Sequence, residues 1–295
     1  MPSDFPYGGQ AVIHGVMIRG RSGLAVACRK QDGGVVLRTE QIRPLTTRHK
    51  ILGLPFIRGT PALFDALVMG FRSLIWSAEA ALEDEGQKPV NPAVWVLTIG
   101  VSLVIGIVVF VLLPSGIIPK FTRNHFALNA LEGGVRMIFF LVYVVAIMQL
   151  KDVQRLFEYH GAEHKVVNAF ESGATLSDAA RFSRIHRRCG TNFLAAVILV
   201  GIVVHLAFGW PQWHIRLLSR LAALPLIAGI SYELLRAAGK RPDSRLYGAL
   251  VWPGLMLQRL TTREPDEQQL EVARKALEAV IETDNQAPAA AQQAS

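Results

Sequence analysis

Long apolar runs alternate with polar segments along this chain, and this alternation is its dominant pattern. A helix needs about 20 apolar residues to cross the hydrocarbon core of a bilayer. Runs that approach this length predict about four transmembrane helices, at residues 93–113, 135–150, 192–208 and 217–235. A fifth run, 246–260, is short and broken by Pro253-Gly254, which favours a re-entrant or interfacial piece. The pattern therefore predicts a mainly α-helical integral membrane protein.

Residues 1–50 follow a different pattern and predict a small cytoplasmic β unit. Stretches rich in β-branched residues mark strand candidates at 10–19, 24–30 and 35–43. Gln31-Asp32-Gly33-Gly34 predicts a hairpin between the last two, because Asp-Gly and Gly-Gly accept the positive φ that tight turns need. The glycine spacing fits neither the Walker A nor the Rossmann pattern, so turn formation is the better interpretation of these glycines.

Two segments flank the predicted membrane bundle, which covers residues 91–262. In residues 51–90, charged and hydroxyl side chains interrupt an apolar pattern over 61–81. Such a pattern is typical of an amphipathic helix that lies on the membrane or packs against the bundle, here followed by a polar linker. In residues 263–295, helical spacing predicts a cytoplasmic surface helix, and an end rich in Ala, Gln and Pro predicts a disordered tail.

The distribution of charge predicts the orientation of the chain. The formal net charge is +8, from 31 Lys and Arg against 23 Asp and Glu. No basic stripe interleaved with aromatic residues is present, so we expect the lipid bilayer and its anionic headgroups, not nucleic acid, as partners. Lys and Arg concentrate in both terminal regions and in residues 151–190, which the positive-inside rule places in the cytoplasm. We therefore expect a multi-pass protein of the cytoplasmic (inner) membrane with both termini cytoplasmic.

Neither a secretory signal nor a disulfide framework is predicted. Residues 1–10 are polar and glycine-rich, without a basic n-region or an apolar h-region. Cys28 and Cys189 are far apart and make no disulfide framework. Cys28 is better interpreted as a small buried apolar side chain, and His205 in the third span as a neutral, hydrogen-bonded histidine.

Candidate chemistry lies just after the second predicted span, in Tyr159-His160-Gly161-Ala162-Glu163-His164-Lys165. Residues four apart share one face of a helix, so His160 and His164 can bind one ion. His-x-x-Glu-His is the inverse of the zinc-protease helix motif, in which the histidines hold zinc and the glutamate is the general base. The same residues also suit a polar helix end at a membrane surface, so the motif alone leaves both interpretations open.

A second group, His186-Arg187-Arg188-Cys189, offers another pair of metal ligands at an ordinary spacing. We expect a zinc ion, or another divalent metal, with candidate ligands His160, His164, His186 and Cys189. Four bound ligands would make a closed structural site, and three would leave a position where water can be activated. Glu163 favours the open form as general base, but it could equally orient an imidazole. His186 could instead hold lipid phosphate with its arginine neighbours.

Further ionisable residues lie at the predicted membrane segments. Glu233, in or at the end of the fourth span, could be a further ligand, a proton relay, or a partner for Arg136 or Arg236. Arg58 and Asp65 predict an interfacial ion pair that adds little net stability.

Several blocks of sequence, in one order, resemble a known family. The blocks are GGQAVI at 8–13, GVM with Arg19 at 15–19, PFIRG at 55–59, YHGAEHK at 159–165, RCGT at 188–191, ISYE at 230–233 and LTTREP at 260–265. Over roughly residues 8–280 the chain resembles the bacterial YqhQ-like membrane proteins. This family is generally described as uncharacterised and carries a metal-dependent enzyme label, so the resemblance implies a multi-pass membrane protein, hints at a metal and supplies no substrate. We expect a Glu in this family where the chain has His14, which puts the role of that position in doubt.

The sequence leaves two functions open. In the first, the chain is an integral membrane metalloprotein, a zinc-dependent hydrolase acting at the cytoplasmic membrane face on a membrane peptide or a lipid-linked substrate. His160, His164 and one of His186 or Cys189 would hold the ion, while Glu163 would deprotonate water. In the second, it is a non-catalytic membrane scaffold, assembly factor or transporter subunit with a membrane protein partner. Its His and Cys groups would then form a structural clasp or no site.

Overall fold

The computed structural model describes residues 7–118, 124–241 and 244–293, with side chains described as far as Gln286. The strands are β1 (Gly8–Val12), β2 (Gly15–Arg19), β3 (Gly23–Arg29) and β4 (Val35–Gln41). The helices are α1 (Leu45–Arg48), α2 (Gly59–Asp84), α3 (Pro92–Ile107), α4 (Leu113–Ile117), α5 (His125–Ile147), α6 (Lys151–Glu171), α7 (Gly190–Leu206), α8 (Trp213–Lys240), α9 (Arg245–Thr261) and α10 (Glu267–Gln293). A π-helical turn, Val108–Leu112, joins α3 to α4, and 3-10 turns lie at Lys50–Gly53 and Leu176–Arg181. The described chain is therefore mostly helical, with one small sheet near its amino terminus.

The sheet has the strand order β1-β2-β3-β4, and each neighbouring pair is antiparallel. The hairpin predicted at 31–34 is confirmed, since β3 pairs with β4 and Gly33 has a φ of 85° in the turn. The single strand predicted over 10–19 is wrong. The chain reverses at Ile13-His14, where Val12 pairs with Gly15 and His14 has a φ of 53°. A hairpin turn without Gly or Asn at its left-handed position carries no recognisable sequence signal.

Both faces of the sheet are buried. Val16 and Ile18 lie on the face that packs against α6 and α10, and Met17, Val26 and Cys28 lie on the face that packs against α2. Successive side chains of a strand point to opposite faces, so a sheet covered on both sides shows no apolar–polar alternation. Burial raises the pKa of the Cys28 thiol to about 12, which agrees with its interpretation as a buried apolar side chain.

The helix α10 closes this core with the carboxyl-terminal part of the chain. Its buried residues Leu270, Ala273, Leu277 and Val280 recur at helical spacing and pack on the sheet and on α6. The predicted surface helix is therefore one wall of a core. The helix continues to Gln293, so the disordered tail predicted from composition does not match the described structure.

The side chain of Asp284 ties α10 to the β2–β3 turn. Its carboxylate accepts hydrogen bonds from the backbone N–H groups of Arg21, Ser22 and Gly23 at 2.7–2.8 Å. Burial opposes ionisation, but these backbone hydrogen bonds outweigh it and lower the pKa of Asp284 below its ordinary value of 3.8. The two terminal regions of the chain therefore belong to one folded unit.

Three helices of the described chain are long and apolar enough to cross a membrane: Pro92–Ile117, His125–Ile147 and Trp213–Lys240. The first spans α3, the π-helical turn and α4. The run predicted at 192–208 forms α7, which is apolar but has only 17 residues. The second predicted span begins about ten residues earlier than expected, because Leu128, Asn129 and Glu132 are buried inside the bundle and extend the helix there.

The break expected within residues 246–260 is absent, because α9 runs without interruption past Pro253. Gly254 has a packing role in place of a helix-breaking one, since a Cβ at this position would overlap the side chain of Asn192 on α7. The helix α9 packs against α7, and from Gly254 onward it also lies beside the segment that precedes α7. Gln258 contacts His186, and Arg184 donates to Thr262.

The amphipathic helix expected over 61–81 forms the longer α2, which packs against α8 and the sheet. The ion pair predicted between Arg58 and Asp65 is wrong. Arg58 instead makes a bidentate pair with Glu233 of α8, at 2.7 and 2.6 Å, and Asp65 accepts from the backbone N–H of Leu45. Glu233 therefore pairs neither with Arg136 nor with Arg236, and it fixes the start of α2 on α8.

Replacement of Asp284 by alanine is expected to lower the free energy of unfolding by roughly 1–2 kcal/mol near pH 7, because three backbone donors lose their acceptor at a partly exposed site. The pKa of Asp284 is depressed in the folded state, so its contribution is complete above the unfolded pKa near 4 and is lost as the pH falls through the folded value. Denaturant unfolding in detergent at pH 7 and at pH 3 measures the difference. The matched control is Glu278→Ala on the exposed face of α10, and an Asp284→Ala effect that persists unchanged at pH 3 would contradict this account.

Candidate metal centre

The helix α6 carries the two histidines of the His-x-x-Glu-His motif on one face. His164 is only 1% exposed and His160 is half-buried, and their ring centroids lie 4.4 Å apart. Tyr159, Ala162 and the following residues of α6 pack in the core under the sheet. The histidines therefore project from a rigid helix and not from a mobile loop, which is what a preorganised site needs.

Backbone carbonyls fix which nitrogen of each imidazole faces the site. The Nδ1 of His160 lies 2.8 Å from the carbonyl oxygen of Thr261, and the Nδ1 of His164 lies 2.6 Å from that of Arg184. A carbonyl oxygen only accepts, so each Nδ1 carries the proton and donates it, and each Nε2 keeps a free lone pair. Metal-binding histidines are commonly oriented by such a contact to their second nitrogen.

The sulfur of Cys189 completes a cluster of three donor atoms. Its Sγ lies 3.2 Å from His160 Nε2, and the donor atoms of His160, His164 and Cys189 all lie within 4.8 Å of one another. With zinc bonds of about 2.1 Å to nitrogen and 2.3 Å to sulfur, tetrahedral ligands lie roughly 3.3–3.8 Å apart, so a small contraction would bring all three onto one ion. The buried Nε2 of His164 has no hydrogen-bond partner in the described chain, as expected for a nitrogen that binds a metal ion.

Cys189 is held in place by the start of α7. It is the N-cap residue of that helix, and its Sγ accepts a hydrogen bond from the backbone N–H of Thr191 at 3.3 Å. The positive end of a helix favours negative charge, so this position suits a metal-binding thiolate.

Glu163 lies at the edge of the cluster. Its side chain is almost fully buried, with Oε2 3.5 Å from His164 Nε2 and Oε1 accepting from the backbone N–H of Gly9 at 3.0 Å. The amino-terminal strand β1 therefore fixes the direction of this carboxylate. From this place Glu163 can accept a proton from a water at the cluster or orient His164, so the geometry admits both predicted roles.

His186, the fourth predicted ligand, lies outside this cluster. Its backbone N–H donates to Gln258 at 2.9 Å, and its Nε2 lies 3.3 Å from a carboxylate oxygen of Glu171. Its ring centroid is 5.7 Å from that of His164. Although burial alone would raise the pKa of Glu171, hydrogen bonding to His186 and the charge of Arg188 lower it. The structure thus brings three of the four predicted ligands together, while the imidazole of His186 contacts Glu171 instead.

The segment after α9 contributes contacts that the motifs did not indicate. Besides the Thr261 carbonyl, Thr262 accepts from Arg184 and Glu264 pairs with Lys165. Gly161 allows this approach, because a Cβ there would overlap the carbonyl oxygen of Arg263. A glycine beside a candidate ligand in mid-helix was the one sequence signal for this contact.

Comparison with known proteins then places these residues in a family. Residues 54–283 match the family described as "Protein of unknown function (DUF1385)". The chain belongs to the DUF1385 family. It is also 34% identical over 285 residues to "Uncharacterized protein YqhQ" of Bacillus subtilis (strain 168), which covers 90% of this chain and 89% of that protein. No solved structure matches the chain.

The resemblance to YqhQ-like proteins is therefore confirmed. The DUF1385 match includes all three cluster residues and the segment after α9, while the strands β1 to β4 lie before it. Neither the family description nor the relative's name states a reaction, so metal binding at this site has only the geometry to support it.

His14, where a family Glu was expected, lies away from the cluster. It lines a cleft of ≈ 550 Å³ together with Arg29, Lys30, Asp84 and Arg155, and none of the three cluster residues lines that cleft. Burial and the charge of Arg155 lower the pKa of His14. Its left-handed backbone is set by the β1–β2 turn, so this position belongs to the sheet and not to the candidate metal centre.

Replacement of Gly161 by alanine is expected to weaken zinc binding about tenfold, because the new Cβ must push Arg263, and with it the Thr261 carbonyl, away from α6. The same overlap should cost about 1–3 kcal/mol of stability. Zinc titration against a competing chelator and thermal unfolding measure the two effects. Gly134→Ala on α5 is the control, since nothing lies within 4 Å of its Cβ. Equal zinc affinity of the Gly161→Ala variant and the wild type would show that the carbonyl contact does not orient His160.

Proposed function

We propose that this DUF1385 protein is an integral membrane metalloprotein, a zinc-dependent hydrolase that acts at the cytoplasmic membrane face. The observation that carries the proposal is the convergence of His160 Nε2, His164 Nε2 and Cys189 Sγ. Both imidazoles donate through Nδ1 to backbone carbonyls, which leaves their lone pairs directed at the third donor. Two nitrogens and one sulfur form a three-donor set of the kind that catalytic zinc sites use, which would leave the fourth position of a bound ion to water or substrate.

The membrane arrangement is supported by the packing of the two ends of the chain. The amino-terminal sheet packs on α10, which supports a position of both terminal regions on one side of a bilayer and an even number of crossings between them. Three helices are long enough to cross. We propose α7 as the fourth span, because it is apolar and packs between α5, α8 and α9.

The basic segment 151–190 supports a cytoplasmic position for the sheet, the cluster and both termini. We propose that α9 then lies at the cytoplasmic lipid surface, since Gly254 and Gln258 lie beside the start of α7. Leu246 and Trp252 of α9 are exposed and suit contact with lipid. A cluster beside this helix favours a membrane peptide or a lipid-linked molecule as substrate.

The residues of the cluster have distinct tasks in the proposed reaction. His160, His164 and Cys189 would hold the divalent ion, which supplies Lewis acidity when bound. Glu163 would take a proton from the attacking water, because its Oε2 lies beside His164 Nε2 while Oε1 is held by Gly9. Burial of Glu163 keeps bulk water from competing for this carboxylate.

Zinc content of purified variants tests the ligand set. We expect about one zinc per chain in the wild type, and at least a 100-fold loss of affinity in Cys189→Ser and in His164→Gln, since each removes one donor atom. His186→Gln is the matched control, because this buried histidine lies outside the cluster and should keep its zinc. A folded wild type that binds no divalent metal would end the proposal, and loss of zinc from His186→Gln would favour four filled positions.

A non-catalytic scaffold, assembly factor or transporter subunit is the second candidate. It is favoured by the way the cluster joins separate parts of the chain, since His160 contacts both Thr261 and Cys189. A metal held there would act as a clasp between α6, the start of α7 and the end of α9. This candidate predicts that no position is open to an added ligand.

Cobalt substitution separates the two candidates. A Co²⁺-loaded protein should show a thiolate charge-transfer band that disappears in Cys189→Ser. Added azide or a hydroxamate should shift the visible absorption if one position is open, as in a hydrolase, and leave it unchanged in a closed clasp. Glu163→Gln should keep its metal, and it should lose at least about 100-fold in hydrolytic rate if Glu163 is the base. A metal-loaded Glu163→Gln variant with an unchanged rate on any hydrolysed substrate would assign Glu163 to orientation alone.

A further inference from the structure

A cluster of charged side chains lies inside the helical bundle, near the ends of the helices that point away from the metal centre. Glu132 of α5 is 1% exposed and accepts from Arg136 at 2.7 Å. The second oxygen of Glu132 pairs with Arg220 of α8, which also donates to Asn129 at 2.8 Å. Ser115 of α4 donates to the first oxygen. One carboxylate therefore joins three helices.

The charges of this cluster do not balance. A third arginine, Arg216, lies one turn before Arg220, stacks over the ring of Trp210 at 4.2 Å and donates to the backbone of Ser115 at 3.4 Å. Glu132 is the one acidic residue of the described chain within ion-pair distance of Arg136 or Arg220, and Arg216 has no such partner there. Among the described residues, the cluster thus contains three guanidinium groups but only one carboxylate, which pairs with two of them.

Solvent does not compensate the excess positive charge. Arg216 and Arg220 are 8% and 7% exposed. The Nε–H groups of Arg136 and Arg220 are buried and have no hydrogen-bond partner in the described chain. Buried cations and buried donors are normally paired, so these donors without partners indicate a missing anionic acceptor.

The location of the arginine cluster indicates which kind of anion can reach it. The cluster lies near the start of α5 and the end of α7, where Asn129 contacts the carbonyl of Phe208. This end of α7 is about 24 Å along the helix from Cys189. Arg220 lies seven residues into α8, or roughly 10 Å from its start. In the proposed orientation this is the depth of the headgroup region on the non-cytoplasmic side, next to an interfacial tryptophan.

We propose that Arg136, Arg216 and Arg220 form a binding site for a phosphate group, separate from the metal centre. Planar guanidinium groups match the geometry of phosphate oxygens and bind them through paired hydrogen bonds. Glu132 positions Arg136 and Arg220, and Arg216, free of a carboxylate, provides the leading contact. The phosphate can come from an anionic phospholipid headgroup or from a free phosphate ion.

The experiment uses the zinc-loaded full chain and variants of Arg216, the arginine without a carboxylate partner. Inorganic phosphate is titrated against delipidated protein in neutral detergent, with chloride at equal ionic strength, and the unfolding temperature is followed. In parallel, nanodiscs of phosphatidylcholine alone are compared with nanodiscs containing phosphatidylglycerol. Arg236→Gln is the matched control, since Arg236 lies on the exposed face of the same helix. Arg216→Lys keeps the charge and tests the guanidinium geometry if Arg216→Gln fails to fold.

The wild type and Arg236→Gln are expected to be stabilised by phosphate or by phosphatidylglycerol, and Arg216→Gln should bind about tenfold more weakly, with Arg216→Lys between. Stabilisation by inorganic phosphate identifies a free ion as a ligand, and stabilisation by phosphatidylglycerol alone identifies the lipid headgroup. The proposal is overturned if neither probe stabilises the wild type beyond chloride, or if both Arg216 variants respond as Arg236→Gln does. Zinc content should stay unchanged throughout, which keeps this result independent of the metal centre.

Discussion

The packing of α6 between the amino-terminal sheet and α10 is the contact on which the rest of the structure depends. Val16 and Ile18 of the sheet, Ala162 of α6 and Leu277 of α10 share one buried core. This core holds one face of α6 rigidly in place, so that the opposite face of the helix presents two imidazoles in fixed directions. It also places Gly9 against Glu163 and thereby couples the first strand to the candidate chemistry. A cluster formed by distant parts of the chain needs such a frame, because three loosely held donors would lose much of their affinity to ordering entropy.

The sequence predicted those parts whose signal lies within a few neighbouring residues. The long apolar runs, the Asp32-Gly33 hairpin and the i, i+4 pair His160 and His164 each follow from a local period or a local turn rule. Cys189 could also be predicted as a ligand, because a sulfur donor shortly after two helical histidines is an ordinary arrangement of metal ligands. The double-faced burial of the sheet was harder to predict, since strands such as β3 then read as continuous apolar runs.

The remaining features depend on contacts between distant residues that leave no local mark. The backbone of His186 hydrogen-bonds to Gln258 of α9, and its imidazole contacts Glu171. His186 therefore lies outside the cluster, although its spacing from Cys189 in the sequence is typical of metal ligands. The acceptors that set the two tautomers are backbone carbonyls of Thr261 and Arg184, which any residue would provide equally well. Continuation of α9 past Pro253 likewise depends on packing against its neighbours and not on the propensity of the residue.

The helix α7 links the two charged sites of the molecule. Its N-cap residue is Cys189, whose sulfur belongs to the candidate metal centre, and its last turn carries His205 beside the arginines. Gly201 lets α7 lie against Ile227 of α8 without a bulky side chain between them. The two sites thus lie at opposite ends of one helix, about 24 Å apart along its axis.

The position of α10 in the core has a consequence for biosynthesis. The helix α10 follows the sheet and α6 in the chain, and until it has been synthesised one side of both has no apolar cover. The three helices that are long and apolar enough to cross a membrane also precede α10, so this core can close only after all three have been synthesised. Contacts separated by more than 250 residues, such as Asp284 with Ser22, make this closure a slow and late step that exposes apolar surface. The nascent chain should therefore expose apolar surface of the sheet and of α6 until α10 has docked on them.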